Sequence, residues 1–315
     1  MFKLAIVSRD HKEYERAFTA KKCLGAFENV ELLWSGASVE GFSGLADVEL
    51  ILANPNIAAQ FVHHCDKLRW LQSTWAGVKP LIDVTKRDYH LSGLKDVFGG
   101  QMREYVMAYI LYFQRKIGDF GTYQQQKNWQ QQTLPTLKGK RLGIMGLGNI
   151  GYEVAIAAKA FDMKVYSLNA RSRPSVANQH FFLNDVQSFV QHCDVILNLL
   201  PHTDTTNGLC DKAFFEALNP ATLFINAGRG NVIANDDDIV AALDDGRLCG
   251  AVLDVFKTEP LPSSHVYWET KNLLVTNHTA ASSQHTLVWE FFEQNLNCFV
   301  NGGTPEGIIN FERGY

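Results

Sequence analysis

The sequence predicts an α/β protein of two domains, each a parallel sheet covered by helices. Three observations carry this. The chain has 315 residues, enough for two domains of ordinary size. Short apolar runs alternate with helix-length segments in two separate series. A glycine-rich turn stands directly behind one of those runs.

The first series gives strands at Lys3–Ser8, Val30–Ser35, Val48–Ala53 and Leu68–Ser73. The second gives Arg141–Met145, Lys164–Leu168, Asp194–Leu199, Thr222–Asn226, Gly250–Asp254 and Asn272–Thr276, at the spacing of βα repeats. Unbroken runs such as Val195-Ile196-Leu197 suit strands buried on both faces, as in a parallel sheet. Between the series, Tyr105, Val106, Tyr109, Ile110 and Phe113 recur at helical spacing and predict a long connecting helix. The polar stretch Tyr123–Asn128 behind it reads as a solvated surface segment. A second helix is expected over Ser283–Val300, after which Gly302–Tyr315 rejoin the first domain.

Composition narrows the function classes. With 46% apolar and 20% charged residues, and only 24 glycines and 9 prolines, the chain is neither disordered nor fibrous. Its 29 Lys and Arg against 33 Asp and Glu leave a net charge of −4, which argues against a nucleic-acid or anionic-membrane surface. Six scattered cysteines without a C-x-x-C pair read as reduced packing residues, not as disulfides or a metal site. The first apolar run turns polar at Ser8, too early for a signal-peptide core, and no run reaches the ~18 apolar residues of a membrane span. A cytoplasmic protein is expected.

Gly146-Leu147-Gly148-Asn149-Ile150-Gly151 follows one strand and opens an alanine-rich helix. Such glycines permit a tight turn, close backbone approach to a pyrophosphate, and tight helix–sheet packing, so a dinucleotide is expected there. At the end of the next strand, where an acid would bind the ribose of NAD, stands Asn169, followed by Ala170-Arg171-Ser172-Arg173. A carboxylate would repel a 2′-phosphate, whereas Asn169, Arg171, Ser172 and Arg173 can hydrogen-bond one with charge assistance. The cofactor expected is therefore NADP(H), with NAD(H) as the alternative.

Reducing a carbonyl with such a cofactor requires a cation for the substrate's charge, an acid for the developing alkoxide, and a group that orients the acid. Three strand-end segments offer them: Asn226-Ala227-Gly228-Arg229-Gly230, Asp254-Val255-Phe256-Lys257-Thr258-Glu259-Pro260, and Asn277-His278-Thr279-Ala280-Ala281. Each lies where open α/β sheets place ligands. A carboxylate beside an imidazole favours its protonated form, the state that donates.

These segments, in order after the glycine turn, resemble the D-isomer-specific 2-hydroxyacid dehydrogenase family, over essentially the whole chain. Gln101-Met102-Arg103-Glu104-Tyr105, Asn169–Arg173 and Arg313-Gly314-Tyr315 resemble its glyoxylate/hydroxypyruvate reductase A branch. The resemblance implies a Rossmann dinucleotide-binding domain, residues 99–283, inserted into a flavodoxin-like substrate domain built from residues 1–98 and 284–315. It implies that Arg229 binds the substrate's carboxylate and carbonyl, that His278 is the acid/base, and that Glu259 hydrogen-bonds His278. It further implies backbone contacts to substrate at Trp75, Ala76 and Gly77, and cofactor contacts at Leu200, Pro201, His202, Thr203, Ala227, Gly228, Asp254 and Ala280. A homodimer is also implied.

The departures from the family pattern are Asn277, where proline is commoner, and Thr279, where valine is frequent. The expected activity is NADPH-dependent reduction of small 2-keto acids, glyoxylate and hydroxypyruvate first. The alternatives are a dehydrogenase of another short 2-hydroxy acid or small anion, and a non-catalytic dinucleotide-sensing module.

Overall fold

The first apolar series becomes one five-stranded parallel sheet in a computed structural model that describes residues 1–171 and 176–314 of the chain. Its elements are β1 (Phe2–Val7), α1 (His11–Cys23), β2 (Val30–Gly36), β3 (Leu50–Ala53), α2 (Pro55–Phe61), β4 (Trp70–Ser73), α3 (Lys79–Ile82) and β5 (His90–Ser92). The order β2-β1-β3-β4-β5 is flavodoxin-like. Every residue of β3 and β4 is buried; β3 reads as an unbroken apolar run, and β4 buries the polar Gln72 and Ser73 after Trp70 and Leu71. β5 was not anticipated, because its His-Leu-Ser has no apolar run; Ile309 N–H donates to Leu91 O at 2.8 Å beside it, so the segment around Ile309 does rejoin this sheet.

The polar groups at the carboxyl ends of these strands bond to one another. Asn54 donates to Thr74 Oγ1 at 2.6 Å and accepts from Arg9 N–H at 3.0 Å. Ser73 Oγ accepts from Trp75 N–H at 3.0 Å and donates to Trp75 O at 2.9 Å. The turn Trp75-Ala76-Gly77 is thus tied to its own strand. The amides of Ala76 and Gly77 have no acceptor among the described residues.

The second series forms a seven-stranded parallel sheet. It is preceded by α4 (Gly99–Gln114) and α5 (Ile117–Gln125). The latter extends into the segment expected to be solvated surface: Gln124 and Gln125 are exposed as expected, but they and Tyr123 are helical, because the apolar residues Ile117 and Phe120 and the T-shaped Phe120–Tyr123 pair continue a helical register. Next come β6 (Arg141–Met145), α6 (Asn149–Ala160), β7 (Lys164–Asn169), β8 (Gln179–Phe182), α7 (Val186–Gln191) and β9 (Val195–Asn198). The series closes with α8 (Lys212–Glu216), β10 (Thr222–Asn226), α9 (Asp236–Asp244), β11 (Leu248–Leu253) and β12 (Leu273–Val275). The order β12-β11-β10-β9-β6-β7-β8 is that of a Rossmann sheet, with its switch point between β6 and β9.

Both faces of this sheet are buried, as alternate residues show: Ile196 and Phe224 pack in one core cluster, while Val195, Leu197, Leu223 and Ile225 pack in another. At ~1.5–3 kcal/mol for each large apolar side chain, these two layers fix the strands and therefore the loops at their ends. Helix α4 lies against the sheet at Gly250, where an added Cβ would stand 2.1 Å from the Phe113 ring.

The chain then returns to the first sheet with α10 (His285–Val300), whose Phe292 stacks on Trp70 with 5.6 Å between ring centroids. Clustering of the backbone gives two compact units, Met1–Val97 with Ser283–Tyr315, and Phe98–Ser282. Cys65, Cys193 and Cys210 are buried as packing residues, but Cys23 and Cys249 are exposed, which corrects the expectation that all six pack inside. Burial pushes the Cys65 thiol up to about 11.

Candidate active site

The glycine turn leaves β6 at the switch point. Gly146 has φ +93°, and a Cβ there would lie 3.0 Å from the carbonyl carbon of Leu199, so both its dihedral and its neighbour demand glycine. Gly151 lets the first turn of α6 close against Gly146 O, 3.0 Å from where its Cβ would be. Around Gly148 there is nothing within 4 Å. The turn thus presents open space above bare backbone, at the start of a 12-residue helix whose first residues are Asn149 and Ile150. That cradle fits a pyrophosphate, which the N–H groups and dipole of the helix end would attract.

Asn169 closes β7, and its side-chain oxygen accepts from Leu147 N–H at 2.8 Å, which ties it to the glycine turn. Its amide NH₂ is the end left to meet a ligand. Arg171 is exposed; Ser172 and Arg173 lie outside the described residues. In the loop after β9, Leu200 N–H donates to Asn198 Oδ1 at 3.1 Å, and Thr206 Oγ1 ties back to Pro201 O at 2.6 Å and to Thr203. Pro201 and His202 are exposed on this loop.

Two buried asparagines build the next turn. Asn198 Nδ2 donates to Asn226 Oδ1 at 2.8 Å, and Asn226 Nδ2 donates to Arg229 O at 3.1 Å, shaping the segment that holds Ala227, Gly228 and Arg229. Gly228 comes so close that its Cβ would lie 2.8 Å from Asn198 Nδ2. At Gly230 a Cβ would lie 2.0 Å from the carbonyl carbon of Phe256, so the arginine turn rests directly on the loop after β11. Arg229 Nη1 donates to Gly228 O at 2.7 Å, and no carboxylate pairs with its guanidinium among the described residues. The protein around it lowers the guanidinium pKa by desolvation, while the charge of Glu259 raises it. The side chain keeps some solvent contact and a guanidinium titrates far above neutrality, so the group stays cationic.

Glu259 and His278 meet at 2.7 Å, Oε2 to Nδ1, and Glu259 Oε1 also accepts from Phe256 N–H at 2.9 Å. An ionised carboxylate only accepts, so the imidazole carries a proton on Nδ1, and Nε2 has no partner among the described residues. His278 is half exposed in its side chain, so its ring is open to solvent. Asn277 and His278 both have left-handed backbone, at φ 56° and 57°. Such a conformation costs roughly 1–2 kcal/mol per non-glycine residue, so something else must hold it.

Asp254 holds it. His278 N–H donates to Asp254 O at 2.7 Å, Thr279 N–H to Oδ1 at 2.8 Å, and Ala280 N–H to Oδ2 at 3.1 Å. The Asp254 side chain is 1% exposed and is used up by this turn. Sequence reasoning singled out neither Asn198 nor Thr276, whose hydroxyl also bonds Asp254; each is a polar residue that closes an apolar run, and that was the available signal.

Among the described residues there is no group of three or more His, Cys, Asp or Glu that could hold a metal ion, and no helix long and apolar enough to cross a membrane. Residues 107–280 match the family model described as D-isomer specific 2-hydroxyacid dehydrogenase, NAD binding domain. The chain belongs to the D-isomer-specific 2-hydroxyacid dehydrogenases.

Relatives of this dehydrogenase include the glyoxylate/hydroxypyruvate reductase A of Yersinia enterocolitica, 32% identical over 259 residues, or 79% of this chain and 82% of the relative. The protein of the same description from Serratia proteamaculans is 32% identical over 68% of this chain and 69% of its own length. A D-isomer specific 2-hydroxyacid dehydrogenase family protein from Aeromonas salmonicida superposes with a TM-score of 0.89 at 33% identity, covering 98% of this chain and 99% of that one. The NADPH-dependent glyoxylate/hydroxypyruvate reductase of Sinorhizobium meliloti, solved with NADP and sulfate, gives 0.87 at 26% identity over the full length of both chains.

Proposed function

We propose that this dehydrogenase reduces small 2-keto acids with NADPH, glyoxylate to glycolate and hydroxypyruvate to D-glycerate, with NADH as the poorer cofactor. The observation that carries the reading is the 2.7 Å Glu259–His278 contact together with an arginine that no carboxylate among the described residues neutralises. When bound, NADPH supplies the hydride. Arg229 would take the substrate's carboxylate and carbonyl oxygen in its planar fork. His278 Nε2 would give its proton to the oxygen that becomes the hydroxyl, so the product gains one hydride on carbon and one proton on oxygen. Glu259, held by Phe256 N–H, would accept from His278 Nδ1–H and keep the ring oriented.

The cofactor preference rests on Asn169, whose NH₂ would donate to a 2′-phosphate that an acid in its place would repel; Arg171, Ser172 and Arg173 are the proposed cations and hydroxyl around that phosphate. The relatives' printed activities and the NADP in the Sinorhizobium meliloti structure support the same choice.

The reading includes a homodimer formed through the second unit, where Trp129 is 92% exposed and Ile117 and Phe120 also show apolar surface to solvent. It places the protein in the cytoplasm, a reducing compartment that suits six unpaired thiols. The experiment is to follow NADPH and NADH absorbance with glyoxylate, hydroxypyruvate and pyruvate in turn. Turnover of the first two with a lower KM for NADPH supports the proposal; cofactor binding without turnover of any of the three overturns it.

A further inference from the structure

Helix α4 carries a tyrosine that the reaction just proposed does not use. Tyr105 Oη lies 2.8 Å from Thr276 Oγ1, and Thr276 Oγ1 lies 2.5 Å from Asp254 Oδ1. The direction of this chain is fixed by chemistry. The carboxylate of Asp254 meets only donors, so the Thr276 hydroxyl gives its proton to Asp254 and the tyrosine gives its own to Thr276. Burial raises the Tyr105 phenol far above its ordinary value, and the nearby charge of Asp254 adds to this although the Thr276 bond opposes it, so the phenol keeps the proton it donates. Tyr109 packs its ring edge-on against Tyr105 at 4.7 Å, which fixes the phenol's aim.

The chain ends on the carboxylate that secures the left-handed turn under His278. Asp254 Oδ1 accepts from both Thr276 and Thr279 N–H, so losing the hydroxyl removes one of the two groups that set the position of that oxygen. We propose that Tyr105 is a positioning residue for His278: through Thr276 it fixes the Asp254 carboxylate that holds the Asn277–Ala280 turn in place. The proposal rests on the acid role read for His278. It assigns to the helix before the Rossmann sheet a part in the reaction, carried 171 residues along the chain by two hydroxyl groups.

The test is steady-state kinetics with glyoxylate and the better of NADPH and NADH on Tyr105→Phe, Thr276→Val, the double variant and Thr276→Ser. Tyr105→Phe removes one oxygen and one hydrogen bond from a ring that stays packed, at a cost of about 1 kcal/mol, so its melting temperature should fall by only a few degrees. Its kcat should fall about tenfold, the scale expected when an acid is displaced by a fraction of an ångström, while the cofactor KM stays within twofold. The deuterium isotope effect with the 4-deuterated cofactor should rise, because the step that needs His278 becomes slower relative to release. The double variant should be no worse than the worse single variant, since both cut one chain, and Thr276→Ser should restore kcat to within twofold.

Wild-type kcat in Tyr105→Phe, or losses that multiply in the double variant, would overturn the proposal. So would a change confined to the cofactor KM. Should Tyr105→Phe fail to fold, the Thr276→Val and Thr276→Ser pair decides alone: equal kcat in the two contradicts the chain. An inactive wild-type protein would instead sink the functional reading itself, so the two failures are distinct.

Discussion

The two sheets of this protein share one architecture and treat their strand ends in opposite ways. In the first unit, Asn54, Thr74 and Ser73 bond to one another or to backbone of the strand ends, Asn54 linking the ends of β1, β3 and β4 and Ser73 closing its own turn. In the second, buried groups of the same kind, Asn198, Asn226 and Asp254, hold up side chains with capacity to spare among the described residues: an arginine without a carboxylate and an imidazole with one nitrogen unengaged. Parallel sheets present their loops at the same edge in both units, so fold alone does not say where chemistry sits. The difference lies in which polar groups are left unsatisfied.

The contrast is sharpest at His278. Replacing it with Ala should lower turnover by a factor of order 10²–10⁴ while cofactor binding, followed by NADPH fluorescence, is retained. Near-normal turnover would erase the distinction between the two edges. Arg229→Lys keeps the charge and loses the planar fork, so kcat/KM for glyoxylate should fall roughly 10²-fold, mostly through KM, with the cofactor KM little changed. An equal loss for NADPH and for glyoxylate would assign the guanidinium to the cofactor instead. Asn169→Asp should weaken NADPH by about tenfold, ~1.4 kcal/mol, and NADH far less, so the ratio of the two KM values reports it.

On the first unit's edge the effect should be small and of another kind. Ser73→Ala removes a hydroxyl that both donates and accepts on Trp75, which should cost about 1 kcal/mol of stability in a urea titration and leave the cofactor KM untouched. Because the same change releases the Trp75 amide, any shift in the keto-acid KM measures how far that turn shares in binding substrate.

What was legible in the sequence follows the same division. Strands buried on both faces, such as Arg141–Met145 and Thr222–Asn226, were readable because their apolar runs need no partner to be recognised. β8 was not, since Gln179–Phe182 is an edge strand that begins with two polar residues and buries only Phe181. The predicted starts at Val48 and Leu68 come two residues before those of β3 and β4, because Val48 and Leu68 are buried in the turns that lead into the strands.

At the site, the glycine turn and the segments holding Arg229, Glu259 and His278 showed themselves by residue type and order. The use of Asp254 did not. The resemblance set it beside the cofactor; its carboxylate also accepts from Thr276 Oγ1 and from the Thr279 and Ala280 amides, a use that depends on contacts between β11 and the residues after β12. Asn169 was read as a ligand for phosphate alone, but half of its amide holds the glycine turn, which only tertiary structure could reveal.

The most direct test of the central claim is a crystal structure of the protein with NADPH and oxamate, an unreactive isostere of pyruvate. The account predicts the oxamate carboxylate at hydrogen-bond distance, about 2.7–3.2 Å, from the Arg229 guanidinium, and its carbonyl oxygen toward His278 Nε2. Oxamate bound away from both side chains, or Arg229 and His278 facing different clefts, would contradict it.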